Sequence, residues 1–113
     1  MKSVDTISVS ELTKMAENMF GSLVKAVVDV DRNLLVVDAE LHADQEQFLL
    51  EDGSKQTSLW GINLYPAKFG TDEFIEFDSM INIRPRQNNR SRDIEDNGVK
   101  DKITDIVSQK VIP

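Results

Sequence analysis

The sequence predicts an α+β fold: a four-stranded antiparallel sheet with helices packed on one face, in the element order α-β-β-α-β-β-α, as a single domain over residues 1–113. Three observations lead there. Two pairs of alternating segments, Leu23–Val30 with Leu34–Leu41 and Leu59–Tyr65 with Phe74–Arg84, are each joined by a link without a long helix. Apolar residues recur at helical spacing near both ends of the chain. At 113 residues there is material for one hydrophobic core and none for a second.

The first helix is expected over Val9–Phe20. Ser8 and Glu11 form a capping box, because the serine oxygen can accept from the third helical amide while the glutamate reaches back. Leu12, Met15, Ala16, Met19 and Phe20 then share one stripe, and Gly21 supplies a left-handed end. Val24, Ala26, Val28 and Val30 face one way in the next segment, with Lys25 and Asp29 on the other side. Asp31-Arg32-Asn33 makes the turn into a strand that points Leu35, Val37, Ala39 and Leu41 inward and Asp38 and Glu40 outward. Asp44, with Gln47 three residues on, is expected to cap a short second helix that Gly53 ends.

Trp60, Ile62 and Leu64 share one face of the third strand and read as core, while Gly61 between them marks a bulge or a close backbone approach. Phe74–Arg84 is the longest strand candidate, with Ile75, Phe77, Ile81 and Ile83 inward and Glu76, Asp78, Asn82 and Arg84 outward. This arrangement leaves one wet sheet face carrying Asp38, Glu40, Glu76, Asp78 and Asn82. A long polar stretch from Pro85 to Asn97 follows, in which Ile94 is the one large apolar residue. Val99, Ile103, Ile106, Val107 and Val111 mark a C-terminal amphipathic helix.

Composition excludes several classes. No run approaches the roughly 20 apolar residues of a membrane span, and no apolar stretch follows Met1-Lys2, so no membrane association and a cytoplasmic location are expected. The absence of cysteine removes disulfides, zinc ribbons, iron–sulfur clusters and thiol nucleophiles. No cofactor is expected, since phosphate-loop and dinucleotide fingerprints are absent, as are a nucleophile elbow and a paired-histidine zinc helix. A net charge of -7 argues against general coating of nucleic acid.

Charge is unevenly placed, however. The stretch from Arg84 to Arg92 holds Arg84, Arg86, Arg90 and Arg92 and no acid, so it carries +4 against -7 for the whole chain, which leaves -11 on the rest. Guanidinium forks match phosphate and carboxylate oxygens with paired donors, and Asn82, Gln87, Asn88, Asn89 and Ser91 can add neutral hydrogen bonds. The functional reading is a binding site for a phosphate-bearing small molecule or an RNA segment. The bland reading is a solvated loop whose arginines pair with Asp93, Glu95, Asp96 or the acidic sheet face.

His42 is the sole histidine, with Asp38, Glu40, Asp44 and Glu46 around it at even spacing. Two readings stand side by side: a contact to the anionic ligand, or a metal-assisted phosphohydrolase or nuclease in which His42, Glu40 and Asp44 hold a cation and Asp78 assists. Against both, a lone histidine commonly hydrogen-bonds a turn or a helix cap. Glu76 and Asp78 stand about 7 Å apart along one strand face by the rise per residue, as a carboxylate pair or as ordinary solvated side chains. An interaction protein is the remaining class, with the wet face or an exposed edge strand pairing with another protein or with a second copy as a homodimer.

The segments Lys14–Asp29, Glu40–Asp44, Leu59–Pro66 and Phe77–Pro85 together resemble a family of small bacterial and archaeal proteins known only as a domain of unknown function. The resemblance implies a stand-alone small domain and brings no assigned activity or catalytic residue.

Overall fold

A computed structural model of the protein describes all 113 residues. In chain order the elements are β1 Lys2–Ser3, β2 Ile7–Ser8, α1 Val9–Asn18, β3 Val24–Asp29, β4 Leu34–Val37, α2 His42–Glu51, β5 Leu59–Leu64, β6 Ile75–Glu76, α3 Asn97–Lys110 and β7 Val111–Ile112. Single 3-10 turns at Gln56–Ser58, Pro66–Lys68, Met80–Asn82 and Pro85–Gln87 complete the chain. The main sheet has five strands, all antiparallel, in the order β1-β4-β3-β5-β6, and a small parallel pair joins β2 to β7. The α+β class therefore holds, while the expected four strands and their element order do not.

Each helix has a local cause. The Ser8 oxygen accepts from the Glu11 amide at 3.1 Å and the Glu11 carboxylate accepts from the Ser8 amide, so the capping box starts α1. Asp96 caps α3 by accepting from the Val99 amide at 3.1 Å. The second helix begins earlier than Asp44, at His42 behind Leu41, with no side-chain cap. Its exit is the left-handed Gly53 (φ 100°), a conformation that a side chain would strain.

The sheet is covered on both sides, which corrects the expectation of helices on one face only. On one side Val24, Ala26 and Val28 of β3 and Trp60, Ile62 and Leu64 of β5 pack with Leu12 and Ala16 of α1 and Ile103, Ile106 and Val107 of α3. On the other, Val27, Val36 and Leu59 pack against Leu49 of α2, with Ile81 at the margin. Strands β3 and β5, paired over six residues from Val24↔Leu64 to Asp29↔Leu59, are thus buried on two faces. Even Asp29 is fully buried, and it accepts from the Asp31 and Arg32 amides at 2.9 Å and from the Ser54 hydroxyl at 2.6 Å. Its carboxylate ties the hairpin turn to the exit of α2.

The long strand expected over Phe74–Arg84 breaks after Glu76. Ile75 and Phe77 pack against the larger core, whereas Ile81 packs on the opposite face, so one alternating pattern serves two cores. Ser79 turns the chain, its oxygen accepting from the Ile81 amide at 3.3 Å. The turn then crosses the sheet directly over Gly61, where a Cβ would lie 2.6 Å from both Cβ and Oγ of Ser79 and 3.2 Å from Ile81 Cγ1. Gly61 is therefore a site of close approach, one of the two roles its sequence position suggested.

Gly61→Ala is expected to destabilise the protein by about 1–3 kcal/mol through this overlap, as read from urea denaturation. Adding Ser79→Gly should recover part of that loss; an unchanged midpoint for Gly61→Ala alone would contradict the close approach.

Candidate functional site

The arginine-rich segment lies along the outer edge of β5. In that strand Leu59, Gly61 and Asn63 direct their backbone groups away from β3, and only Asn63 has a strand partner there, Glu76 of β6. Side chains from the following segment take over the remainder. The Asn82 amide accepts from Gly61 N–H at 2.8 Å and donates to Gly61 C=O at 2.9 Å, in the manner of a paired residue in a neighbouring strand. Its second proton reaches the Arg92 carbonyl at 3.1 Å, so the buried side chain has no group left for a ligand.

Arg84 continues the edge. Its Nη2 donates to the Leu59 carbonyl at 2.7 Å, its Nη1 donates to the Gln56 carbonyl, and the guanidinium carbon sits 4.1 Å from the centre of the Trp60 ring. Burial pushes Arg84 below its ordinary arginine value, and the Glu46 charge works in the opposite direction. Gln87 extends the series by donating to the Thr57 carbonyl at 3.0 Å.

A second amide closes the loop on itself. Buried Asn89 donates to the carbonyls of Asn82 and Asp93, both at 2.7 Å, and accepts from the Glu95 amide at 2.8 Å. Asn88 takes the left-handed turn (φ 59°) that brings Asn89 back opposite Arg84, with N–H to C=O bonds of 2.7 and 3.2 Å between the two residues. Beyond it, Ile94 is fully buried in the larger core. A stretch whose composition resembles a solvated connector is therefore fastened at Asn82, Arg84, Asn89 and Ile94.

The four arginines divide accordingly. Arg84 is structural, and Arg92 places its Nε 2.6 Å from Asp78 Oδ1 while remaining half exposed. Arg86 and Arg90 are exposed, and no hydrogen bond or ion pair engages either side chain. Glu95 accepts from the Arg90 and Ser91 amides at 2.6 and 3.3 Å, which holds the backbone beneath those side chains.

His42 lies on the inner side of α2, with Nε2 2.7 Å from the Ile62 carbonyl. A carbonyl only accepts, so Nε2 carries the proton of a neutral ring. Burial holds the imidazole below its ordinary value; the Ile62 bond and the charge of Asp78 oppose that shift, and Lys25 and Arg92 add to it. Glu40 and Asp44 are exposed, and no three His, Asp or Glu side chains converge where they could hold a metal ion. The side chains that the metal-assisted alternative places around His42 are not brought together. Glu76 is taken up by its neighbours, accepting from Asn63 Nδ2 at 2.8 Å and from the Tyr65 hydroxyl at 3.0 Å.

Sequence reasoning missed Asn89 and Glu95 as organisers of the loop, whereas the Arg92–Asp78 pair is of the kind the bland reading allows, an arginine on the acidic face. The adjacent Asn88-Asn89 was the available signal, since asparagine both tolerates left-handed backbone and bridges carbonyls. Residues 3–110 match a family described as "Protein of unknown function (DUF5674)". No curated protein and no solved structure matches the chain.

Two outcomes are expected. Asn82→Ala leaves the N–H and C=O of Gly61 without partners and should cost about 2–3 kcal/mol in urea denaturation; a loss below about 0.5 kcal/mol would contradict the edge-pairing role. Stability should also fall as pH drops below about 6.5, the ordinary histidine value. His42 is held lower in the fold, so the unfolded chain takes the proton first, and the decline ends once the folded ring protonates too. Because His42 is the only histidine, replacing it with Gln should flatten the profile between pH 7 and 5.5.

Proposed function

This chain belongs to the DUF5674 family, and we propose that it is a binding module for a small phosphate-bearing ligand held by the loop of residues 84–92. The observation that carries the reading is the contrast within one loop. Its backbone is fastened by buried amides, yet Arg86 and Arg90 stand exposed without protein partners. Arg92, bonded through Nε alone, has its Nη groups available as a third contact. Guanidinium groups offered from an already ordered loop bind with less conformational entropy to lose than the same groups on a mobile one.

The acidic remainder of the chain sets the ligand's size. A long polyanion would have to run past a surface that carries -11 outside the loop, in a molecule only 37 × 29 × 23 Å across. At a screening length of about 8 Å, a nucleotide-sized ligand avoids most of that repulsion. Short single-stranded RNA is the competing occupant. The charge contrast also favours, as a second reading, a head-to-tail homodimer in which the loop of one copy meets acidic surface of the next.

Amide chemical-shift titrations with inorganic phosphate, mixed nucleotides and a short single-stranded RNA, at low and moderate salt, test these readings. Saturating shifts over residues 86–92 are expected with phosphate and nucleotides. Arg86→Ala with Arg90→Ala should weaken binding at least tenfold and reduce its salt dependence. Unchanged binding in the double variant would overturn the assignment. Sedimentation of the 12.8 kDa chain at low salt tests the dimer, which a purely monomeric mass would remove.

A further inference from the structure

Strand β6 ends the five-stranded sheet, and no strand lies beyond it. The bond from Tyr65 N–H to the Phe74 carbonyl, 2.9 Å, sets the phase of the ladder: residues 74 and 76 address β5, while Ile75 and Phe77 turn their N–H and C=O groups outward. No turn, loop or cap bond takes up those outward groups.

Beside this edge runs a groove of about 360 Å³ between residues 69–77 and α3. Ile75 and Phe77 line its sheet side, and Val107 and Val111 line the side toward the helix. Thr104 and Ser108, one helical turn apart and both exposed, border it together with the exposed carboxylate of Asp72. Asp72 has no ion-pair partner. An open sheet edge next to a helix-walled apolar groove is what main-chain addition of an extended peptide needs. The edge supplies backbone hydrogen bonds and the groove receives alternate side chains.

We propose that this edge and groove dock an extended, basic and apolar segment of a partner protein, which adds beside β6, inserts an apolar side chain against Ile75 and Val107, and sets a lysine or arginine near Asp72. Charge complementarity decides the sign, because the chain outside the arginine loop carries -11. A second copy is a poor occupant: two-fold pairing of β6 with itself would set one concave groove beside another, with no side chain to fill either. A small apolar molecule would fill the groove and leave the outward backbone groups unpaired.

The probe is an acetylated ten-residue peptide alternating valine with lysine, titrated into isotope-labelled full-length protein, with a valine–glutamate peptide as control. Saturating amide shifts confined to residues 71–77 and 104–111, with slowed exchange at the Ile75 and Phe77 amides, are expected. The glutamate peptide should bind at least tenfold more weakly. Ser108→Trp, an exposed position where the larger side chain fills the groove without changing charge, should weaken the lysine peptide at least tenfold while leaving the melting temperature within about 2 °C. Absence of saturating shifts at millimolar peptide would overturn the proposal. So would equal binding of both peptides, binding insensitive to Ser108→Trp, or a concentration-dependent dimer that Ser108→Trp abolishes.

Discussion

Strand β5 spans six residues, but β6 pairs only two of them, so the outward-facing groups of Leu59 and Gly61 need partners that no strand provides. Both residues are buried, and an unpaired backbone group in that setting costs on the order of 1–3 kcal/mol. The Asn82 amide and the Arg84 guanidinium resolve this by acting as a strand made of side chains. Everything from Ser79 to Ile94 follows from that constraint. The chain must cross close over Gly61, turn back at Asn88 and return its Arg92 carbonyl to Asn82. A loop long enough to be mobile is thereby held against the sheet.

This pairing has consequences for the charges. Arg84 is the one arginine of the four that the fold itself requires, and its position over Trp60 ties the loop to the larger core. Arg86 and Arg90 are left at the surface by the same geometry. His42 belongs to the sheet's second cover, where its bond to the Ile62 carbonyl fastens the start of α2 across β5. Gln45 does the same for β3 by donating to the Lys25 carbonyl at 2.8 Å. Polar side chains thus carry much of the packing on this face, beside a small apolar cluster of Val27, Val36, Leu49 and Leu59.

The same fact explains what was legible in the sequence. The capping box at Ser8, β3, β5 and the amphipathic C-terminal helix follow from periodicity and cap chemistry and stand close to where those signals put them, whereas β4 stops at Val37, short of the expected Leu41, which is exposed rather than inward. Helix α2 was visible as an element but not as a sheet cover, because it buries His42 and Gln45, which no hydrophobic pattern marks as core. Alternation over Phe74–Arg84 reads as one strand, yet the pattern is blind to a chain that switches faces at Ser79. Two-residue strands such as β1, β2 and β7 are set by tertiary pairing and leave no periodic trace. At the candidate site the cluster of arginines was apparent, whereas the division into buried and exposed ones depended on long-range bonds such as Asn82 to Gly61.

Native-state hydrogen exchange at the Gly61 amide, measured alongside the β3 amides, reads the side-chain pairing most directly. With Asn82 as its acceptor, Gly61 N–H should exchange only through the same large-scale opening that exposes β3, with protection within about tenfold of the Val27 and Val28 amides. Exchange at Gly61 near the rate of an exposed loop amide, while β3 stays protected, would mean that the segment lifts from the β5 edge and that the arginine loop is not held in place.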